Sequence, residues 1–233
     1  MTLFLIPTPL SDDSLDTLPP QIQEITKELT IFFVENIRTA RRFISSLKLG
    51  KVIDELTFYE LSKDTPPANT LAQLETLLQT NTNAGVLSEA GCPGVADPGA
   101  VAVKLAHQLG IEVLPLVGPS SILLALMASG MSGQSFVFHG YLPIEKSERI
   151  ARLKELEKQA ISQNQSQIFI ETPYRNNQVL DDILAHCHTN TLITVACNLT
   201  DVGGFVKTLR ANQWRKAKPD LHKKPTVFLI GKP

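Results

Sequence analysis

Residues 87–100, LSEAGCPGVADPGA, decide how this chain is read, because an apolar run ends there and three glycines and two prolines follow before a helical pattern begins. Gly91, Gly94 and Gly99 are free to take positive φ or to let another group approach the main chain. Pro93 and Pro98 fix φ and remove backbone donors. Upstream, residues 84–87 are apolar; downstream, Val101, Leu105 and Leu109 recur at helical spacing, so the segment reads as a strand-to-helix turn. In an open parallel sheet, ligands bind at such turns. The stretch matches neither GxxxxGK[ST] nor a GxGxxG that opens a helix, which argues against a P-loop nucleotide hydrolase and an ordinary dinucleotide-binding dehydrogenase. Taken by itself, such a glycine- and proline-rich connection is more often a plain turn than a binding site.

Short apolar runs alternate with helical patterns on both sides of this loop. Residues 3–6, 31–34, 56–59, 84–87 and 111–114 read as strands. Helical spacing covers 37–47, the leucines at 71, 74, 77 and 78, and the segment up to Leu109. This βαβ alternation predicts a mainly parallel sheet covered by helices on both faces. A second turn, Gly118-Pro119, leads into an apolar helix starting near Ser120, and the domain boundary is set there. Beyond it, 136–139, 167–170, 192–196 and 226–230 read as strands, 146–158 as a solvated charged helix and 177–187 as another helix, with an ill-defined piece at 202–209. The expected fold is α/β with two αβα domains: residues 1–117 with a mainly parallel sheet and 118–233 with a mixed one.

The 233 residues are 43% hydrophobic and 19% charged, which suits a globular protein with substantial cores. A formal net charge of −1 gives no global attraction to nucleic acid, so such a partner must be held by local basic patches. Cys92, Cys187 and Cys197 show no paired spacing; neither a disulfide framework nor a thiolate zinc site is expected, and a reducing, cytoplasmic location is. The first apolar run has no basic flank and is too short for a signal peptide or a membrane span. His186 and His188 point apart on a predicted helix, so no metal site is expected there.

Four turns fall at the carboxyl ends of predicted strands: Pro7-Thr8-Pro9, Glu35-Asn36, residues 88–99, and Gly118-Pro119-Ser120-Ser121. Ser120 and Ser121 open a helix, where hydroxyls and free N–H groups either hold a carboxylate or ribose or simply cap the helix. Six blocks in order, LFLIPTPL, VENIRTARR, LSEAGCPGVADPG, VGPSSILLALMASG, FHGYLP and FIETPYR, resemble the tetrapyrrole methylase superfamily. Within it, the chain is most similar to the small-subunit rRNA ribose 2′-O-methyltransferases. The resemblance covers nearly the whole chain and implies two α/β domains, S-adenosylmethionine held in the cleft between them, and a homodimer. By motif, it assigns to that cofactor Pro9, Gly91, Cys92, Pro93, Val95, Ser120, Ser121 and Glu171. A thiol beside a sulfonium is a hazard, so Cys92 reads as a small packing residue rather than a nucleophile.

The chain also departs from the family. Where rRNA enzymes show EDTR it has Glu35-Asn36-Ile37-Arg38, and where they show PIGNLxD it has residues 9–14, PLSDDS. SDAGTPLISDPG becomes SEAGCPGVADPG, and the GxGPGD loop of the tetrapyrrole enzymes is missing. A ribose hydroxyl needs a proton acceptor to become a nucleophile. Glu35, Glu89 and Glu171 are the candidates, with Glu35 preferred on the acceptor side. Arg38, Arg41 and Arg42 share a helical face that could grip phosphates. Tyr174 and Arg175 replace the family's His-Arg pair. A C-terminal basic cluster at Arg210, Arg215, Lys216, Lys218, Lys223 and Lys224 surrounds Trp214, which either stacks a base or anchors the tail. The expected partner is rRNA or the small ribosomal subunit, with no membrane. The alternatives are a methylase of a tetrapyrrole or other small molecule, or a non-catalytic S-adenosylmethionine-binding paralogue.

Overall fold

Runs of β-branched, leucyl and aromatic residues bounded by proline, glycine or polar clusters become the strands, as expected from their fit to a half-buried or fully buried pleat. A computed structural model describes residues 1–62 and 64–233. It divides into two compact units, Met1–Ser120 and Ser121–Pro233.

The first unit runs β1 (Thr2–Ile6), α1 (Pro20–Glu28), β2 (Ile31–Val34), α2 (Ile37–Ser46), β3 (Thr57–Glu60), α3 (Pro67–Gln79), β4 (Ala84–Leu87), α4 (Gly99–Gln108) and β5 (Glu112–Pro115). All strand pairs are parallel, in the order β3-β2-β4-β1-β5. Central β4 is buried at every position, whereas edge strand β3 has exposed ends, two half-buried residues between them and no fully buried one. One face of the sheet packs Leu3, Phe33 and Val86 against Leu74 and Leu77 of α3 and Ala102 and Ala106 of α4. The other packs Ile6, Phe32 and Val34 against Ile22 of α1 and Ala40 and Ile44 of α2. Burying a side chain such as Phe32 or Phe33 contributes roughly 2 kcal/mol. Proline opens α1 and α3 at the first helical positions, where a missing N–H costs nothing.

The second unit runs α5 (Ser121–Ser129), β6 (Phe136–Tyr141), α6 (Lys146–Gln163), β7 (Ser166–Ile170), α7 (Asn176–His186), β8 (Leu192–Cys197), β9 (Phe205–Arg210), α8 (Ala211–Trp214) and β10 (Thr226–Gly231). Its sheet, β6-β7-β10-β8-β9, is mixed: β6 and β7 are parallel and the other pairs antiparallel. Ala125 and Leu126 of α5 cover one face with Ile168, Val227 and Leu229. Leu153, Leu156 and Ala160 of α6 and Val179, Leu180 and Ile183 of α7 cover the other with Phe169, Val195 and Phe228. The α/β class, the parallel first sheet and the mixed second one are as expected.

Three local readings change. Residues 202–209 are not ill-defined throughout, since Phe205–Arg210 pair antiparallel with β8 as the sheet's edge. The α6 stretch is not wholly solvated: Arg149 is 1% exposed and bonds Asp182 of α7 through Nε and Nη2, at 2.9 and 2.7 Å, and Ile144 O through Nη1 at 2.6 Å. Helix α1 went unread because its buried stripe is only Ile22 and Thr26. Among the described residues no helix is long and apolar enough to cross a membrane.

Candidate functional site

The first sheet reverses direction between β4 and β1, since β1 leads towards β2 on one side and β4 towards β5 on the other. Their exits diverge at the carboxyl edge and leave a crevice there. The structure brings all four predicted turns to that edge and fastens three of them together. Thr8 N donates to Gly91 O at 3.0 Å, and Gly91 N donates back to Thr8 O at 3.1 Å. Thr8 Oγ1 donates to Ser88 O at 3.3 Å and Ser88 Oγ to Gly91 O at 2.8 Å. Cys92 Sγ lies 3.4 Å from Pro119 O. Thr8 and Ser88 were not among the predicted site residues. Their signal was positional, a hydroxyl directly after a strand-ending proline and another directly after β4.

Within the glycine loop, Gly91 has φ 79° and Gly94 φ 83°. These are left-handed conformations that glycine adopts at little cost. A Cβ on Gly91 would come within 3.2 Å of Leu10 Cδ2 and 3.3 Å of Pro119 O. Asp97, also missed from sequence, closes the loop: its Oδ1 accepts from Gly94 N at 2.7 Å and Gly99 N at 2.8 Å. The Asp-Pro-Gly sequence was its signal, as aspartate commonly caps its own following backbone. Burial raises the Asp97 carboxyl's pKa against the pull of these two N–H groups, and its Oδ2 is buried with no hydrogen-bond partner. Burial, then the Asp97 charge, pushes the Cys92 thiol up, so it stays protonated and is a poor nucleophile. Pro93 is buried and Val95 half-exposed.

Glu35 leaves β2 beside this loop. Burial raises its pKa first, followed by the charges of Glu89 and Asp97, so three carboxylates share one neighbourhood. Asn36 stands where the family carries aspartate and still caps α2: its Oδ1 accepts from Arg38 N at 2.9 Å and Thr39 N at 3.3 Å. Thr39 Oγ1 donates to Glu89 at 3.2 Å. The three arginines do not act as one grip. Arg38 is exposed, Arg41 bonds Asp54, and Arg42 lies 3.8 Å from Asp12 with both side chains well exposed. Arg42 and Pro9 line a cavity of about 270 Å³ formed by the loop after β1, α2 and residues 88–90.

The remaining predicted residues are Ser120, at the end of the first unit, and four in the second. Ser121 opens α5. Glu171 directly follows β7, is 5% exposed, and accepts from Thr172 N and Arg175 Nη2 through Oε1, both at 2.6 Å. Its Oε2 is buried and has no partner. Tyr174 is 70% exposed with its ring edge-on to His222. Trp214 does not offer a face for a base: it is 1% exposed and donates Nε1–H to Ile193 O at 2.9 Å, so it anchors the tail. The cluster around it is largely engaged internally, with Arg215 on Leu184 O, Lys218 on Asp181 and Lys224 on Asp220 O.

No family model matches the chain. It is 28% identical over 232 residues to ribosomal RNA small subunit methyltransferase I of Xylella fastidiosa, spanning 98% of this chain and 80% of that protein. The protein of the same name from Halalkalibacterium halodurans is 30% identical over 183 residues, 78% of this chain and 59% of its own length. The crystal structure of the methyltransferase CobJ superposes with a TM-score of 0.64 at 19% identity, covering 99% of this chain and 93% of CobJ. That of uroporphyrin III C-methyl transferase from Thermus thermophilus gives 0.60 at 12% identity, covering 99% and 97%. At such identities the structures attest the fold alone, and the acceptor must be argued from the sequence relatives. Ordered motifs, two-sheet fold and relatives agree: the chain is a methyltransferase, its fold is that of tetrapyrrole methyltransferases, and its relatives by sequence are named ribosomal RNA small subunit methyltransferase I.

Proposed function

We propose that this protein methylates a ribose 2′-hydroxyl of small-subunit rRNA with S-adenosylmethionine as donor. The observation that carries this is the match to the rRNA enzymes over 98% of the chain, which takes in the acceptor-side blocks as well as the glycine loop. A tetrapyrrole acceptor is favoured only by fold-level likeness.

The residues fit the donor. Gly91, Cys92, Pro93 and Val95 form a loop of small or rigid side chains whose backbone is open to a ligand, flanked by Pro9 and by Ser120 and Ser121. Asp97 Oδ2 is a buried acceptor without a partner. Such an atom costs about 1–3 kcal/mol unless something donates to it, and an amino or hydroxyl group of the donor would do so. When bound, S-adenosylmethionine supplies a methyl group on a positively charged sulfur.

The protein's part is alignment and proton removal. Two loops held by the Thr8–Gly91 exchange would fix the bound donor relative to the acceptor, which converts a bimolecular encounter into a positioned one. Glu35, with its proton affinity raised by burial and two neighbouring carboxylates, takes the hydroxyl proton as the oxygen–carbon bond forms and the carbon–sulfur bond breaks. Arg38, Arg41 and Arg42 on α2, with Tyr174 and Arg175, are assigned to the RNA. A cytoplasmic location, shared with the substrate, and a homodimer belong to the same proposal.

Mapping ribose methylation across the rRNA of a deletion strain tests this. One lost mark, restored by the intact gene, is expected; an unchanged map would refute the assigned acceptor.

A further inference from the structure

We infer that the cavity bounded by the loop after β1, the exposed end of α2 and residues 88–90 receives a single nucleobase of the acceptor RNA, turned out of its stack. The inference rests on the proposed rRNA ribose methylation and adds to it where the base is held. Three features of the cavity point to this ligand.

Its volume, about 270 Å³, lies just below the range of small-molecule clefts, roughly 300–1,000 Å³. That suits one nucleobase and excludes a four-ring macrocycle. Its lining is divided chemically, with Leu10, Leu15 and Phe43 offering an apolar surface and Asp12, Glu89 and Arg42 offering charged groups. Two carboxylates against one guanidinium disfavour a phosphate or other anion. They favour an uncharged planar ring whose edge carries both N–H donors and acceptors, the pattern of a nucleobase read along its pairing edge. An enzyme acting on a nucleotide within folded RNA gains access by such extrusion, and a fitted pocket offsets the unstacking.

The position is also right for transfer. Thr8, in the cavity wall, exchanges both backbone hydrogen bonds with Gly91 of the glycine loop. Glu89, another wall residue, lies near enough to Glu35 to raise its pKa. A base seated here places its own ribose beside the glycine loop and the carboxylate proposed as base. Leu10, Phe43 and Glu89 thereby become specificity-determining residues.

The test uses the full-length protein, small ribosomal subunits from a strain lacking the gene, and methyl-labelled S-adenosylmethionine. Ser46→Trp narrows the cavity from the end of α2, and Arg42→Glu reverses its one positive charge. Both are expected to raise KM for the subunits at least tenfold while Kd for S-adenosylmethionine changes less than twofold. A variant that binds the donor normally and methylates subunits with the wild-type KM would overturn the cavity assignment and leave the proposed function standing. If wild-type protein labels no RNA, both fall. Transfer to free nucleosides but not to subunits would overturn the assignment to RNA. Should Ser46→Trp lose donor binding through misfolding, Leu15→Trp, which narrows the cavity from the loop after β1 at a residue with no other assigned contact to RNA, decides by the same two readouts.

Discussion

Gly118 lies so close to Pro7 that a Cβ added to it would stand 2.1 Å from the proline Cβ and 2.5 Å from its Cγ. The exits of β5 and β1 therefore touch through a glycine hydrogen on one side and a proline ring on the other. Gly118→Ala must push the two turns apart. Overpacking of this kind costs about 1–3 kcal/mol. A lower Tm by thermal melt and at least tenfold weaker S-adenosylmethionine binding by calorimetry are expected. An alanine variant with wild-type donor affinity would show that this contact does not shape the site.

Glu35→Gln keeps the size of the side chain and removes the proposed base. The expected loss in kcat is on the order of a hundredfold or more, the usual contribution of a positioned base, with donor Kd unchanged. Stability moves the other way. Burial, Glu89 and Asp97 all raise the Glu35 pKa in the folded protein, so the fold disfavours its ionised form. Removing that charge leaves stability at neutral pH equal or slightly higher, by about 0.5 kcal/mol or less for a screened, partly exposed group. In the wild type, kcat/KM climbs as pH rises through an apparent pKa above the ordinary 4.5. Glutamine retaining full kcat would remove Glu35 from the chemistry.

The Arg149–Asp182 pair joins α6 to α7 with side chains 1% and 7% exposed. Truncating one partner strands a buried charge. Arg149→Met or Asp182→Ala is expected to cost about 3–5 kcal/mol in denaturant unfolding, and Arg149→Met with Asp182→Leu much less than the sum of the two. Additive losses would show that the two charges do not depend on each other.

The folded chain hides its thiols. Burial, with a lesser contribution from Glu157, pushes Cys187 from 9.0 to about 12. Its thiol stays neutral in the fold at pH values where the unfolded chain has already ionised. This contribution to stability is complete below pH 9 and is lost as pH rises from about 9 to 12. Denaturant midpoints measured across that range should fall in the wild type and fall less in Cys187→Ala. At neutral pH, alkylation of Cys92 should be slower than that of a free thiol. Equal slopes for the two proteins would contradict the assignment to Cys187.

What was legible in the sequence was what local chemistry dictates. Strands β1, β2 and β4 are apolar runs stopped by proline, glycine or a cap, and the 87–100 loop announces itself by its glycines. Helix α1 was silent because only Ile22 and Thr26 of its nine residues are buried. Strand β9 was blurred because an edge strand buries neither face fully. Trp214 could have been a stacking platform or an anchor, and only the tertiary contact with Ile193 O decided between them. Glycine-loop positions could be named in advance, but their ties to Thr8 and Pro119 could not. Those depend on strand order, which places β4 beside β1 though 77 residues separate the end of one from the start of the other.

The most direct measurement is methyl transfer itself. Purified protein is incubated with small ribosomal subunits lacking the modification and with methyl-labelled S-adenosylmethionine, and nuclease digests of the RNA are read by mass spectrometry. One 2′-O-methylated nucleotide that disappears with Glu35→Gln is predicted. Label found on a base, on protein or on no RNA at all, with the donor bound normally, would contradict ribose methylation as the function.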